Sequence, residues 1–104
     1  MSMSQTDTQV VIKPDLSLPE PPMFKVIYFN DEVTSMEFVV HSLMNHFNYS
    51  DETAHNITMG IHELGSAVVA VLPYEIAEQK GIEVTVDARG QGYPLQVKIE
   101  AENA

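Results

Sequence analysis

At 104 residues the chain has room for one domain, and a hydrophobic content of 44% supports one modest core. A formal net charge of -10, with five Lys and Arg residues in all, excludes a nucleic-acid binder, because phosphate recognition needs a basic surface. The lack of cysteine excludes disulfides and Cys-based zinc sites, and fits a reducing compartment.

Residues 1–22, MSMSQTDTQVVIKPDLSLPEPP, are polar and end in a proline cluster. Such a segment buries too little apolar surface to offset its ordering entropy, so a disordered N-terminal extension is expected, followed by a folded domain over 23–104. No basic region precedes an apolar block as in a signal peptide, and no stretch reaches transmembrane length. A cytoplasmic protein is expected.

MFKVIYF (23–29) is mostly apolar and rich in β-formers, which predicts a buried strand. Asn30, Asp31 and Glu32 then crowd a short joint. Two roles fit them. Asp and Asn bond free backbone groups at helix starts, and the acceptor oxygens of Asn30 and Asp31 also suit ammonium protons. Thr34 with Glu37 three residues later has the capping-box pattern. Met36, Val39, Val40, Leu43, Met44 and Phe47 recur at helical spacing and predict a helix over about 35–47.

NYSD breaks the chain, and Ser50 is a good N-cap for a second helix. Its expected buried stripe is Ala54, Ile57, Ile61 and Leu64, with Gly65 ending it in the left-handed conformation. His62, late in this helix, is either a satisfied, partly buried side chain or an acceptor for a ligand's donor; His41, His46 and His55 are expected on solvated faces. AVVAVL follows as a strand, and Pro73 suits the first turn of a third helix. Pattern alone leaves 74–90 open, since PYEIAEQK looks helical while GIEVTV favours a strand. LQVKI (95–99) alternates strictly, with Leu95, Val97 and Ile99 on one face. The order β-α-α-β-(α)-β implies an α+β sandwich with helices on one face of a small sheet.

Chemistry is sparse. There is no cysteine nucleophile, no Gly-x-Ser-x-Gly elbow and no Gly-rich phosphate loop, so neither an enzyme nor a cofactor is expected. Glu37 and His41 at i,i+4, and His55 and His62 seven apart, are spacings that arise by chance, and no metal site is expected. Met36, Val39, Thr58 and Ile61 are core positions by default. Their spacing also allows them to line one apolar hollow between the first two helices, near the polar joint and His62, which is the usual form of a small-ligand site.

FNDEVTSMEFV, then HELGSAVVAVLPYEIAEQK, then YPL, resembles the ClpS family of N-degron adaptors for the Clp unfoldase–protease, over roughly residues 22–100. The resemblance implies three helices on a three-stranded antiparallel sheet (β-α-α-β-α-β), with 74–90 mainly helical. It implies a monomeric adaptor that binds proteins whose first residue is Leu, Phe, Tyr or Trp and hands them to the N-terminal domain of an AAA+ unfoldase. By position, Asn30, Asp31 and His62 match residues that hold the substrate's α-ammonium. Thr34, Met36, Val39, Thr58, Ile61 and Leu95 match positions lining the side-chain pocket, and Glu75 and Lys80 match a face that contacts the unfoldase. Four positions depart from the family's habit: Thr58 replaces a longer apolar side chain, Ser35 a proline, Ala70 a glycine and Tyr93 a histidine. The competing expectation is a docking domain of the same architecture that modulates the unfoldase without recognising a terminal residue.

Overall fold

The computed structural model describes residues 21–103. The expected disordered extension lies outside the described residues, apart from the exposed Pro21 and Pro22. The elements are β1 (Met23–Phe29), α1 (Met36–Phe47), α2 (Asp51–Leu64), β2 (Ser66–Pro73), α3 (Tyr74–Gly90) and β3 (Gln96–Ala101). β1 is the central strand, antiparallel to both β2 and β3, so the sheet order is β2-β1-β3. The three helices pack on this sheet, giving the expected α+β sandwich. None of the described helices is long and apolar enough to cross a membrane.

A central strand is paired on both sides, and the inward residues of β1, Val26 and Tyr28, are wholly buried. Tyr28 carries a polar end into this core, where its hydroxyl lies 2.8 Å from Ser42 Oγ. Ser42 gives its own proton to the Val39 carbonyl at 2.8 Å, so Tyr28 is the donor of the pair. Burial pushes the Tyr28 phenol well above its ordinary value. Facing β1, strand β2 bulges: Val26 pairs with Ala70 and Ile27 with Val68, leaving Val69 as the extra residue. The Tyr49 hydroxyl, between α1 and α2, donates to the Val69 carbonyl and ties that connection to the bulge.

Several local expectations are corrected. The Thr34–Glu37 capping box does not cap α1. Ser35, in extended conformation, accepts from the Phe38 N–H at 3.0 Å, and its carbonyl takes the first helical bond from Val39. Thr34 is held back by Asp31, which takes both its N–H and its hydroxyl. Leu64 leaves the expected buried stripe of α2 and is 81% exposed, because it closes the helix just before the left-handed Gly65; Thr58 is buried in the stripe instead. His46 is not on a solvated face. Its Nε2 lies 2.7 Å from Asp87 Oδ2 and its Nδ1 3.4 Å from Glu83 Oε1, joining α1 to α3.

Residues 74–90 form one helix despite the β-branched run, and packing gives the reason. Ala77, Gly81, Val84 and Ala88 are buried at spacings of four, three and four, a narrow stripe of small side chains. A Cβ at Gly81 would sit 3.6 Å from Ile99 Cδ1, so the helix backbone lies close on β3. A strand here would lose that contact. Replacing the cap by Ser35→Ala should cost ~0.5–2 kcal/mol, with roughly 4–8 °C lost in melting temperature per kcal/mol, while Ser35→Asp should hold the wild-type value. Thermal denaturation followed by circular dichroism checks both.

Candidate functional site

The joint after β1 is fixed by one backbone bond. The Asn30 N–H donates to the Gly65 carbonyl at 2.9 Å, which pins the end of the central strand to the turn closing α2. Gly65 can make that turn because its φ of 91° costs it no side-chain clash, and its N–H returns to the Ile61 carbonyl at 2.9 Å. Ile61 and His62, in the last turn of α2, are thereby brought beside Asn30 and Asp31.

Asp31 organises the turn that leads into α1. Its Oδ1 accepts from the Val33 N–H at 2.8 Å and the Thr34 N–H at 2.7 Å, and its Oδ2 accepts from Thr34 Oγ1 at 2.8 Å. Partial burial alone would raise the carboxyl's pKa. The bonds from Thr34 and Val33, with the positive charge of Arg89, outweigh it and hold the group below the usual aspartate value. A carboxylate has about four lone-pair sites, so Oδ2 keeps acceptor capacity for a ligand. The two readings of the joint therefore coexist: Asp31 builds the turn and stays ionised within it.

Asn30, Asp31, Thr34, Met36, Val39, Thr58, Ile61, His62 and Leu95 line one small hollow with about 20 Å³ of free room. Its buried members are Val39, Thr58, Ile61 and Leu95, which make an apolar floor. Its exposed members, Asn30, Met36 and His62, mark the mouth, with Asp31 and Thr34 half-buried between. His62 is thus exposed rather than partly buried. That room is far below the roughly 300–1,000 Å³ of clefts for drug-sized ligands. Thr58 enters the floor without an orphaned hydroxyl, since Oγ1 donates to the Ala54 carbonyl at 2.8 Å within its own helix.

Glu75 and Lys80 stand apart from this hollow. Glu75 is exposed in the first turn of α3, whereas Lys80 is half-buried with Nζ 3.9 Å from Glu83 Oε1. Five residues apart, they are separated by about 140° around the helix and lie on different sides of it. Sequence reasoning missed Phe29 and Arg89. Phe29 also lines the hollow, and Lys98 Nζ lies 5.4 Å from its ring centroid. Its signal was its place, the last strand residue before Asn30. Arg89 donates from Nη1 to the carbonyls of Tyr93 and Leu95 at 2.9 Å each. It is the single arginine of the chain, which was the available signal.

The family model for the ATP-dependent Clp protease adaptor protein ClpS matches residues 19–98. The ATP-dependent Clp protease adapter protein ClpS of Rhodospirillum centenum is 41% identical over 95 residues, covering 91% of this chain and 88% of that protein. The protein of the same name from Campylobacter jejuni is 42% identical over 85 residues, 82% of this chain and 88% of that one. The solved structure of Agrobacterium tumefaciens ClpS2 bound to L-phenylalaninamide superposes with a TM-score of 0.77 at 38% identity, covering 80% of this chain and 100% of that chain. By the span of the family match and the identity of these relatives, the chain belongs to the ClpS family of adaptor proteins of the ATP-dependent Clp protease.

Proposed function

We propose that the protein binds polypeptides by a free N-terminal residue with a bulky hydrophobic side chain, and delivers them to a Clp AAA+ unfoldase without making or breaking a bond itself. The observation that carries this reading is the convergence of three separate stretches, 30–39, 58–62 and Leu95, on one hollow with an ionised carboxylate at its mouth and an apolar floor. The ligand of the Agrobacterium tumefaciens structure supports it: L-phenylalaninamide has a free amino group, an aromatic side chain and an amide where a chain would continue.

In this reading the three ammonium protons go to the Asn30 side-chain oxygen, the Asp31 carboxylate and the His62 imidazole acting as acceptor. An internal residue offers one uncharged amide hydrogen and is refused. The side chain enters the floor of Val39, Thr58, Ile61 and Leu95, beside Thr34 and Met36. Burying an aromatic ring of ~150–250 Å² contributes about 4–6 kcal/mol before association costs. Glu75 and Lys80 would meet the unfoldase from two sides of α3.

The reading is tested with a Phe-initiated peptide and its N-acetylated copy, titrated by fluorescence anisotropy. The free peptide is expected to bind and the acetylated one not; equal binding of both would sink terminal recognition and favour plain docking. Asp31→Ala would also strip the Val33 and Thr34 donors of their acceptor, so Asp31→Asn is the cleaner variant. It should weaken the free peptide by ~10- to 100-fold, the worth of a charge-assisted bond of ~1.5–3 kcal/mol, with the fold kept.

The pH dependence has a definite sign. Binding favours the protonated amine, so affinity is full below the α-amino pKa of about 7.7–8.0 and falls as pH rises through it. At the acid end the depressed pKa keeps the Asp31 carboxylate charged, and its share of the affinity in place, until pH falls below the ordinary aspartate range. The same group's contribution to stability is present above its unfolded pKa and disappears as pH falls through the folded one. With the second titratable acceptor removed in His62→Gln, an acid limb near neutral pH would contradict the assignment of Asp31.

The N-terminal extension is proposed to serve delivery rather than binding. Deleting residues 1–22 should leave peptide affinity unchanged while slowing degradation by the Clp protease; a loss of peptide affinity would place part of the folded domain within that segment.

A further inference from the structure

We infer that Arg89 is a positioning residue for the hollow: from the last turn of α3 it fixes the connection to β3, and so holds Leu95 in the floor. The inference rests on the proposed binding reading and adds to it a residue outside the lining.

A cation in the last turn of a helix complements the partial negative charge there, and that alone would explain an arginine at this place. It does not explain where the side chain goes. Nη1 reaches past the helix end to two carbonyls, Tyr93 O and Leu95 O, both at 2.9 Å. Pro94 lies between them and has no N–H to give, so the segment lacks a backbone donor at its middle. Tyr93 is held at both of its backbone polar groups, its N–H by the Ala88 carbonyl at 2.8 Å and its carbonyl by Arg89. Its ring packs on Phe38 of α1 at 5.3 Å between centroids, and Phe38 adjoins Val39 of the floor. Leu95, 1% exposed, is the next residue after Pro94 and the last before β3. One guanidinium thus bridges the end of α3 to the backbone of a floor residue, through charge-assisted bonds that are stronger than neutral ones.

Arg89 acts on the mouth as well. Its charge is one of the causes that hold the Asp31 carboxyl down, so the same side chain orders the apolar floor and favours the ionised rim. A residue that merely closed a helix would not reach the Leu95 carbonyl.

The test uses the full chain with Arg89→Met, which keeps a long stem but removes donors and charge, and Arg89→Lys, which keeps both. Affinity for the Phe-initiated peptide is measured from about pH 2.5 to about pH 8, alongside melting temperature and the Leu95 methyl signals of the ligand-free protein. Arg89→Met is expected to bind about tenfold more weakly, to lose affinity at a higher pH on the acid side, and to shift the Leu95 methyl signals. Arg89→Lys should recover most of the affinity and the acid limb. Wild-type affinity, an unmoved acid limb and unchanged Leu95 signals in Arg89→Met overturn the inference, even if that variant melts lower. Should Arg89→Met not fold, Arg89→Gln against Arg89→Lys carries the same comparison. Failure of the wild-type protein to prefer the free over the acetylated peptide refutes the binding reading itself, while the Leu95 signals still decide whether Arg89 orders the floor.

Discussion

The hydrogen bond from the Asn30 N–H to the Gly65 carbonyl is the constraint on which the hollow depends. It joins two points thirty-five residues apart in sequence, one at the end of the central strand and one in the turn that closes α2. Without it Asn30 and Asp31 would be a loop beside a sheet, and His62 the exposed end of a helix. With it, they share one mouth. Everything nearby reinforces that closure: Gly65 supplies the left-handed turn, β2 starts at once at Ser66, and Ser66 pairs with Phe29 immediately before Asn30.

The sandwich behind the site is built by close approach rather than by large side chains on every face. Ala77, Gly81, Val84 and Ala88 bring α3 down onto β3, which carries the end of α3 to the level of Leu95. On the other side, the buried chain from Tyr28 to Ser42 to the Val39 carbonyl ties α1 to the central strand just where α1 contributes Val39 to the floor. The floor is therefore anchored from two directions. The His46 contacts with Asp87 and Glu83 add a third tie between the outer ends of α1 and α3.

Much of this was legible in the sequence where one signal dominated. Strict alternation at 95–99 and the apolar run at 23–29 read directly as strands, and Ser50 and Gly65 bounded α2 by their intrinsic conformations. The helix at 74–90 was not legible from propensity, because the small stripe that decides it has value only against β3; family resemblance supplied it. The errors have the same origin. Thr34 and Ser35 are equally good caps on paper, and only the competing Asp31 carboxylate selects Ser35. Leu64 looks like core until the turn at Gly65 leaves it outside, and His46 looks solvated until α3 brings Asp87 beside it. Gathering the lining residues into one hollow needed three-dimensional closure, which spacing within a helix permits but cannot impose.

The bonds that Asp31 accepts from its own turn have a kinetic meaning. A carboxylate already oriented by Val33 and Thr34 needs little rearrangement to meet a cation, so little ordering entropy is added at the moment of encounter. The formal charge of -10 draws positively charged groups toward the surface from a distance, an attraction that salt weakens. Under the proposed reading, arrival of a free ammonium would then be fast for many sequences alike. Selection would fall on how long each one stays, through the fit of its side chain in the floor and hence the rate of release.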